Sequence, residues 1–90
     1  MRTMEEAKKA LAKLNRSQNS EAYKQTAKEI LSQFMEGKLS VMNAVTMYQE
    51  SKNFIEDIEK KYNYSFLSDS DEVKVDRAFA QRDIVNFLID

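Results

Sequence analysis

The chain has no cysteine, no histidine, no proline and only one glycine, Gly37. Without cysteine there is no disulfide framework, and without cysteine and histidine there is no thiolate or imidazole zinc site. The same absences exclude Cys–His and Ser–His–Asp nucleophilic chemistry and a histidine pH switch. Because proline and glycine punctuate chains that are rich in turns, their scarcity predicts long uninterrupted helices.

Long apolar runs are also missing. No stretch approaches the roughly 18 apolar residues of a membrane span, and residues 1–6 do not resemble a signal peptide. We therefore expect a cytoplasmic protein that does not enter a membrane. No glycine-rich phosphate loop or catalytic motif is present, so we expect neither a cofactor nor enzymatic activity.

The composition that remains is that of one small folded domain spanning residues 1–90. The sequence is 42% hydrophobic and 32% charged. A domain of this size buries only about 60–65% of the surface of its unfolded chain, so its stability is low. Small domains commonly gain stability by oligomerisation. Residues 1–46 carry a net charge of +3, from eight basic and five acidic residues, and residues 47–90 carry −4, from six and ten. This polarity can steer the encounter with a charged partner.

Two helices are predicted in the first half of the chain. Thr3 and Glu6 form a capping box at the start of a helix over residues 3–14. A second helix begins at Asn19 or Ser20 and runs to about residue 36. Gly37 follows where a left-handed residue ends a helix, and Leu39 is placed to fold back onto it.

A third helix is predicted over residues 41–62, with Ser40 as its cap. Its apolar residues cover nearly half of the helix circumference, more than one packed face needs. Either this helix is central, or one edge of it, formed by Met47, Phe54 and Ile58, belongs to an interface. Residues 63–67 are predicted to form a short extended segment.

The last predicted helix, over residues 71–89, has apolar side chains on two opposite sides. Residues 73–79 also alternate like a strand, but a lone strand has no partner, so we favour helix. One side can pack on the core, and we expect a second protein molecule to cover the other. The first side carries Val73, Ala80, Ile84, Phe87 and Leu88, and the second carries Val75, Ala78, Phe79, Val85 and Ile89.

These patterns predict an all-α fold: a small four-helix bundle, or helical hairpins that complete their core by dimerisation. The favoured function is a non-catalytic protein–protein interaction, with another protein or a second copy as partner. Small accessory or inhibitor proteins of bacteria and phages, bacteriocin-immunity bundles included, have this size and composition. A charged residue at Phe79 or Val85 is expected to abolish association and to preserve helical content. The predicted interface residues are Val75, Phe79, Val85, Ile89, Met47, Phe54 and Ile58.

Nucleic-acid binding is the alternative function. Lys9, Lys13 and Arg16 share one side of the first helix, and Lys24 and Lys28 lie along the second helix. Together these side chains could contact phosphates. Against this alternative, the sequence pI is near 5.5, and the helix after Gly37 has no basic residue before Lys52.

Acidic residues cluster around the start of the last predicted helix. A calcium-binding loop starting at Asp69 would need glycine and glutamate where Lys74 and Ala80 stand. We interpret Asp69, Asp71, Glu72 and Asp76 as the favourable acidic start of a helix and predict no metal site there.

Overall fold

The structure is a computed structural model that describes residues 1–62, with Tyr62 by its backbone alone, and residues 67–90. These residues form four α-helices and no strand, which confirms the predicted all-α class and the helical interpretation of residues 73–79. Of the predicted extended segment at 63–67, all but the last residue lies outside the described residues. The helices are α1 (Met4–Asn15), α2 (Glu21–Met35), α3 (Val41–Tyr62) and α4 (Asp69–Ile89).

Each helix begins at a hydroxyl cap. The Thr3 hydroxyl accepts a hydrogen bond from the Glu6 N–H, and the Glu6 carboxylate accepts one from the Thr3 N–H, which completes the predicted capping box. Ser20, Ser40 and Ser68 each accept a bond from the backbone N–H three residues further on. Because Ser68 is the cap of α4, that helix begins two residues earlier than predicted.

Gly37 ends α2 in the left-handed conformation, with φ +74°. The Lys38 N–H donates to the Gln33 carbonyl (2.8 Å), and the Gly37 N–H donates to the Phe34 carbonyl (3.1 Å). These two bonds define a Schellman motif. Leu39 is buried in the core just beyond it, as the sequence predicts.

Replacing Gly37 by alanine is expected to destabilise the fold by about 1 kcal/mol, because a left-handed residue with a Cβ is strained. No atom lies within 4 Å of the added Cβ, so the expected loss comes from the backbone and not from a clash. Urea unfolding measures it, with the exposed neighbour Lys38→Ala as control. A Gly37→Ala protein as stable as the parent would contradict this role.

Helix α4 is the centre of the fold. It packs against α2 on one side and α3 on the other, while α1 packs against α2. The largest fully buried side chains are Leu31 of α2 with Val85 and Leu88 of α4. The main core also takes buried residues from α1 and from the start of α3.

The central position of α4 corrects one expectation from the sequence. Val75 (5% exposed) and Val85 (0%) lie inside the chain's own fold, so no second molecule is needed to cover them. A helix between two neighbours requires two apolar sides, and that is the pattern of α4. A charged residue at Val85 would therefore disrupt the fold, and not only an association as the sequence suggested.

The fold is flattened. Its Cα atoms extend over 39 × 29 × 17 Å, and helices are about 10–12 Å thick, so the thinnest dimension holds no more than two layers. The accessible surface is 6057 Å², against about 5,400 Å² for a typical protein of this mass. The excess surface leaves open grooves between helices.

Candidate functional site

Arg2 attaches the beginning of α1 to the end of α4. Its backbone N–H donates to the Leu88 carbonyl (3.0 Å), and its Nε donates to the Phe87 carbonyl (2.9 Å). The guanidinium also lies 4.8 Å from the centre of the Phe87 ring and forms an ion pair with Glu6 (3.0 Å). These contacts fix one end of α1 on α4.

Glu6 is held in its ionised form by this arrangement. Hydrogen bonds from the Thr3 backbone N–H and from the Arg2 side chain lower the pKa of the Glu6 carboxyl. A lowered pKa favours the folded chain above the ordinary carboxyl pKa, and that contribution disappears as the pH falls through the folded value. The Glu6 carboxylate is thus already paired with Arg2 and with the Thr3 N–H, just before α1.

A groove of about 850 Å³ opens between α1, the start of α2 and the C-terminal half of α4. We call it the α1–α4 groove. Its floor is apolar and comes from all three helices, whereas polar and charged side chains form its rim. The floor residues are Ala10, Leu14, Tyr23, Ile84 and Phe87.

The rim of the α1–α4 groove is basic. Lys9, Lys13 and Arg16 are exposed and line the groove at spacings of four and three residues along α1. No carboxylate of the described residues lies within ion-pair distance of any of them. Among the described residues that line this rim, Glu6 is the only acidic one, and it lies at the end where Arg2 binds it. Three unpaired cations therefore flank an apolar floor.

Tyr23 joins α2 to α4 at this groove. Its hydroxyl donates a hydrogen bond to the Asp83 carboxylate (3.1 Å). Burial of the phenol, followed by the charge of Asp83, raises the pKa of Tyr23 to about 12. The phenol therefore remains a neutral donor at physiological pH.

This raised pKa predicts a loss of stability in alkali. Because the folded chain holds the phenol proton more tightly than the unfolded chain, the contribution is complete below about pH 10 and disappears as the pH rises towards 12. Urea unfolding at increasing pH is expected to show this loss in the parent and not in Tyr23→Phe. At neutral pH, Tyr23→Phe should destabilise by about 1 kcal/mol. Identical alkaline slopes in the two proteins would contradict the Tyr23–Asp83 bond.

The structure divides the five predicted nucleic-acid contacts between two places. Lys9, Lys13 and Arg16 lie together on the groove rim, as their spacing predicts. Lys24, which is half-buried, and Lys28, which is exposed, lie on α2 and do not line the groove.

The predicted interface on α4 is only partly accessible. Val75 and Val85 are buried, whereas Phe79 and Ile89 are half-buried. The Arg82 guanidinium lies 4.8 Å from the centre of the Phe79 ring, and Ile89 packs against the main core. These residues do not form one open apolar surface.

The predicted edge of α3 is also half-buried, at Met47, Phe54 and Ile58. The Met47 carbonyl accepts a 2.7 Å hydrogen bond from the Gln81 side chain. Phe54 lines a smaller groove of about 270 Å³ between α3 and α4. Met47 and Phe54 thus lie where α3 meets α4.

Among the residues whose side chains the structure describes, the most exposed large apolar ones lie outside the predicted interface. Val41 (56% exposed), Met42 (79%) and Val45 (49%) lie at the beginning of α3. The sequence contains one sign of this exposed apolar surface, since Met42 falls outside the apolar stripe of its helix. The wide apolar arc of α3 is thus partly exposed surface.

The acidic segment lies at the beginning of α4, with Asp69, Asp71 and Glu72 in the first turn behind the Ser68 cap. Within residues 1–62 and 67–90, no group of three acidic side chains is placed to hold a metal ion. None of the helices formed by these residues has the length and apolar character needed to cross a membrane. Comparison of the chain with protein-family models, curated proteins and solved structures found no match.

Proposed function

We propose that this chain is a small non-catalytic protein-interaction module whose docking site is the α1–α4 groove. The observation that carries the proposal is the combination, in one groove of about 850 Å³, of an apolar floor and three unpaired cations. An apolar centre with a charged rim is the usual anatomy of a protein-binding surface. Size and composition support a cytoplasmic accessory or inhibitor protein of bacterial or phage type.

This site differs from the one that the sequence favoured. A residue can contact a partner only if it is accessible, and Val75 and Val85 are not. The floor of the groove instead uses Ile84 and Phe87, which belong to the opposite apolar side of α4, and Ala10 of α1. The proposal therefore keeps an interaction through α4 and moves it to the other side of that helix.

A protein partner is favoured over nucleic acid by three features of the groove. Arg2 covers one face of the Phe87 ring, so that face is not free to stack on a base. Glu6 places a carboxylate on the same rim, which a phosphate would have to approach even though Arg2 pairs with it. Lys24 and Lys28 do not line the groove and add nothing to its rim.

A helix-forming peptide library displayed on phage provides the test. Binders are selected on the parent chain and then measured against Ala10→Arg, which places a long side chain on the half-buried groove floor. The control is Thr46→Arg, which adds the same side chain at an exposed position of α3. Circular dichroism confirms that both variants remain folded.

The proposal predicts binders whose affinity falls at least about tenfold with Ala10→Arg and does not change with Thr46→Arg. Binders that tolerate Ala10→Arg, or a library that yields no binders, would contradict it.

A further inference from the structure

We infer that the partner segment in the α1–α4 groove is an acidic amphipathic helix. The inference rests on the proposed function and specifies the chemistry of the partner. It follows from the dimensions of the groove, the helices that line it and the charges on its rim.

The dimensions fit one side of a helix. From Glu6 to the C-cap residue Arg16 the groove follows α1 over ten residue steps, which is about 15 Å of helix. That length corresponds to about three turns of a partner helix. The apolar floor along it can receive a ridge of apolar side chains from such a helix.

The walls of the groove favour a helix over an extended peptide. An extended peptide binds by adding a strand to an open sheet edge. The described residues contain no strand, and α1, α2 and α4 provide the groove floor. Their backbone groups are bonded within the helices, except at the helix ends. Side-chain packing against a helical ridge is the remaining recognition mode.

The charges require acidic residues on the partner. Lys9, Lys13 and Arg16 follow one another at i, i+4 and i+7, the spacing at which a second helix presents residues on one side. A partner helix with glutamate or aspartate at the same spacing meets all three cations at once. Since these cations have no carboxylate partner among the described residues, no ion pair within the chain must break first.

Two labelled peptides of about 15 residues test the inference by fluorescence anisotropy. Both are stapled as helices and carry leucine at i, i+4 and i+7. The acidic peptide has glutamate beside each leucine, and the basic peptide has lysine there. A single-stranded oligonucleotide of similar charge is the third probe. The proteins are the parent, Lys9→Glu/Lys13→Glu, Ala10→Arg and the control Lys8→Glu/Lys28→Glu. The control changes the net charge as much as Lys9→Glu/Lys13→Glu does, but at exposed positions outside the groove.

The acidic peptide is expected to bind the parent at least about tenfold more tightly than the basic peptide. Lys9→Glu/Lys13→Glu should reverse this preference, and Lys8→Glu/Lys28→Glu should shift either affinity by less than about threefold. Added salt should weaken the binding of the acidic peptide more than the binding of the basic peptide.

The inference is overturned if the two peptides bind the parent equally, or if the control weakens the acidic peptide as much as the groove variant does. It is also overturned if the oligonucleotide binds more tightly than either peptide at physiological salt. If peptide charge has no effect but Ala10→Arg still abolishes binding, the proposed function stands without the acidic partner. If Ala10→Arg has no effect on either peptide, both proposals fail.

Discussion

Replacing Val85 by aspartate is expected to unfold the chain. The Val85 side chain is fully buried in α4, between the helices that pack on its two sides. The substitution removes about 1.5–3 kcal/mol of apolar burial and adds a carboxylate with no partner, at a cost of several kcal/mol more. A 90-residue domain has only about 5–13 kcal/mol in total. Thermal unfolding followed by circular dichroism should show a lost or strongly lowered transition.

The matched control is Val45→Asp. Val45 is an exposed valine in the second turn of α3. The free energy of unfolding of Val45→Asp should stay within about 0.5 kcal/mol of that of the parent. If Val85→Asp melts like Val45→Asp, the central position of α4 is wrong, and the sequence-based interface on that side of the helix becomes the better interpretation.

Replacing Arg2 by alanine is expected to destabilise the fold by about 2 kcal/mol and to loosen the attachment of α1 to α4, where only the backbone bond to the Leu88 carbonyl remains. The loss combines the charged hydrogen bond to the Phe87 carbonyl with the contact over the Phe87 ring. The exposed ion pair with Glu6 adds little. Because Arg2 holds one end of the groove, the affinity for an acidic helical peptide should fall as well.

Hydrogen exchange separates this role from a general loss of stability. The amides of α1 should exchange faster in Arg2→Ala, while those of α3 follow the global change alone. Arg2→Lys keeps the charge without the guanidinium geometry. It should therefore recover only part of the stability that Arg2→Ala loses. The Asp90 carboxylate lies 3.9 Å from Arg2 and is largely exposed. Asp90→Asn should therefore have no measurable effect on stability or on exchange. Uniform exchange changes across all helices would contradict the attachment.

The sequence predicted the local features of this fold well. The caps at Thr3, Ser20 and Ser40 and the left-handed Gly37 depend on bonds between residues that are close in the chain. Such bonds can be recognised from spacing alone. The basic side of α1 is equally local, so Lys9, Lys13 and Arg16 were grouped correctly.

The order of packing could not be predicted in the same way. Two apolar sides on α4 are compatible with a central helix and with an interface helix, and no spacing distinguishes the two. The contacts that decide between them join distant residues, such as Tyr23 with Asp83 and Arg2 with Phe87. The groove was missed for the same reason, since its floor combines side chains from three helices.

Nuclear magnetic resonance of the labelled chain, titrated with the acidic helical peptide, tests the docking site most directly. The largest shift changes are expected at Ala10, Ile84 and Phe87 on the groove floor. Changes centred on Phe54 in the second groove, or on the exposed Met42, would place the binding surface elsewhere and contradict the α1–α4 groove as the docking site.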